Sequence, residues 1–165
     1  MSGDIASWLR RPQPASDILN PGISAVCVAW CAARHEREAG AALPWPLAFL
    51  VAPLALHTPT RSRFPRSIAT HFPSWVNDNA DVLAGFPARA KALVPYTREG
   101  IRFGLRADLL RLSEDGGLQA TIAEHTKVAS GTELRSIATA AALTGAWFAR
   151  SGSIENVFTQ LRVGP

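Results

Sequence analysis

The chain has 165 residues, 47% of them hydrophobic and 18% charged, with a formal net charge of +4. That length supports one sizeable core, and the balance excludes a disordered chain. Its longest apolar run, Leu47–Leu56, is about half of what a membrane-spanning helix needs, and MSGDIASWLRRPQ at the start has no hydrophobic signal region. No membrane association is expected, and the expected setting is cytoplasmic.

Residues 1–19 read as an N-terminal arm with Trp8 and Leu9 as anchors, and residues 20–165 as a single domain. Asn20-Pro21 supplies a side-chain cap and a proline whose φ already suits a first helical turn. A helix from there to Ala39 stops at Gly40. Ile23, Val26, Cys27, Trp30 and Cys31 recur at helical spacing and predict its buried face. Leu47–His57 is apolar on every side. Its length and alanines favour a central helix over a buried strand, kinked at Pro53. RSRFPRS after it predicts an ordered basic loop. Helices are predicted over 68–79, with Phe72 and Trp75 in the core, and over 80–93, with a kink at Pro87. Val94-Pro95 predicts a break, and a further helix runs from Pro95 to Arg106.

The period then changes. Leu110 and Leu112 alternate with Arg111 and Ser113, and Leu118, Ala120 and Ile122 alternate on the far side of Glu114-Asp115-Gly116-Gly117. Both arms predict strands with Leu110, Leu112, Leu118 and Ala120 facing inward, and the glycines suit a hairpin loop. Helices followed by a hairpin follow the winged-helix order. Residues 123–129 read as linker. Ser130-Gly131-Thr132-Glu133 fits a capping box before a helix to Arg150, whose stripe Leu134, Ala138, Ala141, Gly145 and Phe148 permits close helix approach. Gly152 ends it, and Ser153 caps a last helix carrying Ile154, Val157, Phe158 and Leu161. The expected fold is mainly α with a small β-hairpin: a winged-helix-like helical domain with flanking N- and C-terminal helices.

The chemistry-bearing residues give no catalytic or metal-binding pattern. Cys27, Cys31 and His35 are four residues apart on one helix, which separates the first from the last by about 12 Å, too far for one tetrahedral zinc. They read as core residues, and the two cysteines suggest a reducing compartment rather than a disulfide. His57, His71 and His125 lack partners at ligand spacing. His57 is expected to bond the carbonyls that end the apolar helix. No phosphate loop, dinucleotide fingerprint or nucleophile elbow occurs. Neither an enzyme nor a cofactor is expected.

The remaining candidates are arginines. Arg98, Arg102 and Arg106 form one helix stripe, with Arg111 beyond it. Like charges at this spacing repel, so an external or internal anion is expected to offset them. Arg61, Arg63 and Arg66 form a second cluster, with internal pairing as the competing role. Nucleic acid and an acidic protein suit these arginines equally. Trp8, Tyr96 and Trp147 are the candidate interface aromatics.

Three strings also resemble a known family: PLAFLVAPLALHTPTRSRFPRS at 46–67, FPARAKALVPYTREGIRFGLRADLLRL at 86–112, and LTGAWFARSGSIENVFTQLRVGP at 143–165. In that order they are similar to the middle component of bacterial three-component ABC systems, a class that includes the small third subunit of Lamassu-type anti-phage systems. The resemblance covers Asn20 to Pro165. It implies a non-enzymatic adaptor that binds an SMC/RAD50-like ABC ATPase and links it to an effector such as a nuclease, with DNA contact in the complex left open. It carries no catalytic residues over. The alternative reading is a stand-alone winged-helix DNA-binding transcription regulator, which would dimerise and prefer particular sequences.

Overall fold

Helix α1, Pro21–Ala39, begins and ends where its local signals place it. The Asn20 side chain accepts from the Gly22 N–H at 2.8 Å, and Gly40, at φ 67°, donates its N–H to the Glu36 carbonyl. The computed structural model describes residues 20–122 and 127–164. The expected arm with Trp8 and Leu9, and His125, lie outside these residues.

The middle of α1 is buried on nearly every side, from Ser24 through Ala32, rather than along a stripe. Two long helices flank it. One is α8, Glu133–Arg150, and the other is α7, Val94–Arg106. Glycines allow both approaches. A Cβ on Gly145 of α8 would lie 2.1 Å from the Cys31 carbonyl oxygen, and one on Gly100 of α7 would lie 2.4 Å from Ser24 Cβ. The small-residue stripe therefore brings α8 against the α1 backbone, as its composition predicts. Leu134 at its start is exposed. Glu38 adds a polar tie across the same pair of helices, bonding Arg34 of α1 and Arg150 of α8.

Between Trp45 and Arg106 every proline except Pro65 lies in the first turn of a helix instead of kinking one. The apolar run becomes a 3-10 turn, Trp45–Leu50, followed by α2, Val51–Ala55, so Pro53 sits in the first turn of a helix. Its near-complete burial matches its all-round apolarity. The expected helices over 68–79 and 80–93 resolve into α4 (Phe72–Asp78), α5 (Ala80–Leu83) and α6 (Phe86–Ala92), after a one-turn α3 (Thr58–Arg61). Pro59, Pro73, Pro87 and Pro95 each occupy the second position of their helix, where a missing N–H costs nothing.

An aromatic cluster joins these short helices to α8. Trp147 packs 4.9 Å from Trp75, 5.2 Å from Phe64 and 5.2 Å from Phe72, between ring centroids. The two indoles hold the segment between α3 and α4: Trp75 Nε1 donates to the Arg63 carbonyl in the basic loop and Trp147 Nε1 to the Thr70 carbonyl beyond it. The loop is ordered because core side chains bond its backbone.

The hairpin comprises β1, Leu110–Leu112, and β2, Leu118–Ala120, antiparallel with Leu110 opposite Ala120. Leu110 and Leu118 are buried as expected, but Leu112 is 61% exposed, because it lies toward the hairpin tip. The two loop glycines have different roles. Gly116 takes φ 82°, whereas a Cβ on Gly117 would meet Ala42 Cβ at 2.7 Å. Leu43 bridges Leu118 on the far edge of β2, a pairing too distant in sequence for periodicity to show. The chain is thus mainly helical with one small antiparallel sheet. Two caps complete it. Thr132, not Ser130, accepts from the Arg135 N–H and starts α8, and Ser153 accepts from the Asn156 N–H before α9, Ile154–Gln160.

Candidate interaction surface

Helix α7 owes its two-sidedness to small residues. Tyr96, Thr97, Gly100 and Gly104 are its buried positions, with Ile101 and Leu105 partly buried beside them. The opposite side presents Arg98, Arg102 and Arg106, all exposed. At the helical rise the three follow one another at about 6 Å along the axis. The chain then reverses through Asp108, at φ 53°, and the Leu109 N–H returns to the Gly104 carbonyl at 2.8 Å. This turn fixes β1, with exposed Arg111, against the end of α7. None of Arg98, Arg102, Arg106 and Arg111 has a hydrogen-bond or ion-pair partner among the described residues. The expected offsetting anion is therefore not internal to the described chain.

The second arginine cluster divides. Arg61 is 9% exposed and spends its guanidinium inward: on the Ala55 carbonyl at 2.8 Å, Ser136 Oγ at 3.1 Å, Thr58 Oγ1 at 3.4 Å and Glu133 Oε1 at 3.0 Å. It ties α2 and α3 to the start of α8 and is not available to a partner. Arg63 is exposed and paired with Asp81 at 3.3 Å. Arg66 is exposed with no partner among the described residues.

The aromatic expectations are corrected in the same way. Tyr96 is 4% exposed and Trp147 1%. The Tyr96 hydroxyl donates to the Asn20 carbonyl, and Trp147 anchors the aromatic cluster. Trp45, 57% exposed and edge-on to Phe49, was missed by sequence reasoning. Its signal was available, since Pro44 and Pro46 hold the indole in a turn.

The other titratable groups are structural. Burial pushes the Cys27 thiol up to about 12, against a smaller opposing effect of Arg61, and raises Cys31 further. Neither is a thiolate near neutral pH. His35 Nδ1 faces the Ala41 carbonyl at 3.1 Å. His57 caps the start of α3 rather than the end of α2. Arg89 donates to Thr60 Oγ1 at 3.3 Å, and Thr60 Oγ1 lies 2.7 Å from His57 Nδ1. Burial first, and then the Arg89 and Arg61 charges, hold the His57 pKa below its ordinary value. Among the described residues no cluster of His, Cys, Asp or Glu could hold a metal, and no helix is long and apolar enough to cross a membrane.

These features define a mainly helical protein with a stripe of exposed arginines along α7. The chain belongs to the ABC-three component (ABC-3C) system Middle Component 3 family, whose model matches residues 8–165. No curated protein and no solved structure matches it.

Proposed function

We propose that this chain is a non-enzymatic adaptor. In this reading it holds an SMC/RAD50-like ABC ATPase and an effector such as a nuclease in one cytoplasmic anti-phage complex of the Lamassu type. The observation that carries the reading is membership of a middle-component family across residues 8–165. The geometry supports it in two ways. Arg98, Arg102 and Arg106 stand free of internal anions on one helix face, which suits an acidic partner surface. The hairpin beside them serves as a wing in this reading. Meanwhile the buried thiols, His35 and the capping His57 are committed to packing and hydrogen bonds.

The test is co-expression with the ATPase and effector subunits of the same system. The expected result is a stable complex, with charge reversal at Arg98, Arg102 and Arg106 releasing a partner while circular dichroism stays unchanged. A variant that keeps both protein partners but loses binding to a short duplex would move the arginine face to DNA within the complex.

A further inference from the structure

Arg89 holds α6 to the two helices α2 and α3 without neutralising its charge. Its Nε donates to the Pro53 carbonyl at 3.2 Å and its Nη2 to Thr60 Oγ1 at 3.3 Å, with the guanidinium 5.5 Å from the centre of the Phe86 ring. All three partners are neutral. Among the described residues Arg89 has no ion pair, and its Nη1 has no acceptor. Nη1 is not enclosed. A Cβ added to exposed Gly85 would lie 3.8 Å from it, so it opens at the surface there. Burial lowers the Arg89 pKa, and no carboxylate offsets that effect. A half-buried charge held this way costs free energy until an anion meets it.

The neighbours make the local field more positive. Thr60 Oγ1 lies 2.7 Å from His57 Nδ1, and the Thr60 N–H also donates to Nδ1 at 3.3 Å. A backbone N–H can only donate, so Nδ1 is the acceptor and the neutral ring carries its proton on Nε2. Nε2 has no partner among the described residues and is not enclosed. Capping therefore uses one side of the ring and leaves the donor on the other side free. The charges that act on His57 are those of Arg89 and Arg61, both positive. From Ala39 to Arg98 the sequence carries Arg61, Arg63, Arg66, Arg89, Lys91 and Arg98 against Asp78 and Asp81. Asp81 is taken by Arg63, and Glu133 of α8 by Arg61. Asp78 is exposed at the end of α4 and does not act on Arg89.

We infer that Arg89 receives the carboxylate of an aspartate or glutamate from a partner protein, with the His57 Nε2–H as the second donor available to it. One unpaired guanidinium beside a neutral imidazole matches a single negative charge. Pro53 and Thr60 already orient the guanidinium, so little rotamer freedom is lost on binding. A duplex suits the site less well, because it calls for a run of free cations. The neighbouring Arg61 and Arg63 instead carry Glu133 and Asp81, whose side chains are 74% and 63% exposed and repel phosphates. The inference rests on the adaptor reading and adds a contact outside the α7 stripe.

The experiment uses the full chain reconstituted with the ATPase and effector subunits of its system. p-Benzoylphenylalanine in place of exposed Ala88, one turn on from Gly85, should capture by light a partner segment that contains an aspartate or glutamate. Changing that acid to its amide, and Arg89→Gln, should each weaken the complex about tenfold or more, and the two together no more than either alone. Losses that multiply instead mean that Arg89 acts only within its own fold, and they overturn the inference. Capture of no partner, or of a segment without an acid, overturns it too. If Arg89→Gln unfolds the chain, the partner substitution against the unaltered chain decides: about a tenfold loss is expected, and no loss overturns the inference. Capture of nucleic acid alone assigns the site to DNA and overturns it. In each of these cases an intact complex leaves the adaptor reading standing. No complex with the unaltered chain overturns both.

Discussion

Replacing Gly145 with alanine sets a gain against a collision, and the collision should win. In an exposed helix interior the change would stabilise by about 1 kcal/mol through helix propensity. Here the new Cβ would sit 2.1 Å from the Cys31 carbonyl oxygen, where ordinary contact begins at 3.4 Å. The shortfall is the difference, about 1.3 Å. Both sides are helix backbone, so no side chain can rotate away, and α8 must move off α1 as a unit. Separating packed surfaces by 0.5–1 Å forfeits about a quarter to a half of each atom pair's dispersion energy. Overpacking typically costs about 1–3 kcal/mol, and occasionally more. With backbone on both sides, a net loss of about 3 kcal/mol is expected, which lowers Tm by roughly 6–12 °C in a domain of this size. Urea and thermal unfolding of Gly145→Ala read this directly. Gly100→Ala should cost less, because one of its two close neighbours is the rotatable Ser24 hydroxyl. A Gly145→Ala protein as stable as the parent, or more so, would refute the close approach of α8 to α1.

Three further outcomes follow from the same geometry. Arg61→Met should destabilise by about 3 kcal/mol, because it leaves the buried Ala55 carbonyl without its charged donor, whereas Arg66→Ala should stay within about 0.5 kcal/mol; equal urea midpoints for the two would contradict an internal Arg61. Thr97→Val should be neutral or stabilising by about 1 kcal/mol, since the fully buried Thr97 hydroxyl has no partner among the described residues; a clear loss of stability would show that the hydroxyl is bonded. Acid should weaken the fold through His57 and His35, whose pKa values are held below the ordinary 6.5. Above that value both rings are neutral and their contribution is complete. As pH falls below it the unfolded chain takes up protons first, and stability is lost until the folded rings protonate too. His57→Asn keeps a capping oxygen and should flatten part of the decline in urea midpoint between pH 8 and about pH 5; an unchanged decline would remove His57 from the account.

What was legible in the sequence was local. The ends of α1 follow from Asn20-Pro21 and Gly40, and the start of α9 from Ser153, because a cap needs only residues within one turn of it. The approach of α8 was legible as a stripe of small residues, though not which backbone it would meet. Prolines at 53 and 87 were misread as kinks because periodicity continues through them, while the structure places both in first turns. The surface was harder to read. Arg61 and Arg66 look alike in the basic loop, and only the arrival of α8 decides that one is enclosed and the other free. Alternation assigned Leu112 to the core because it cannot show where the sheet runs past the helices beneath it. Leu43, which pairs with the outward groups of Leu118, is 75 residues from its partner and carries no local signal.

The central claim is that this chain joins two partners. The most direct measurement is the mass of the assembly formed by the system's ATPase and effector, co-expressed with and without this chain and resolved by size-exclusion chromatography with light scattering. The account predicts one complex containing all three subunits, and separate ATPase and effector when this chain is omitted. Co-elution of ATPase and effector without it, or recovery of this chain alone as a homodimer on DNA, would contradict the adaptor reading.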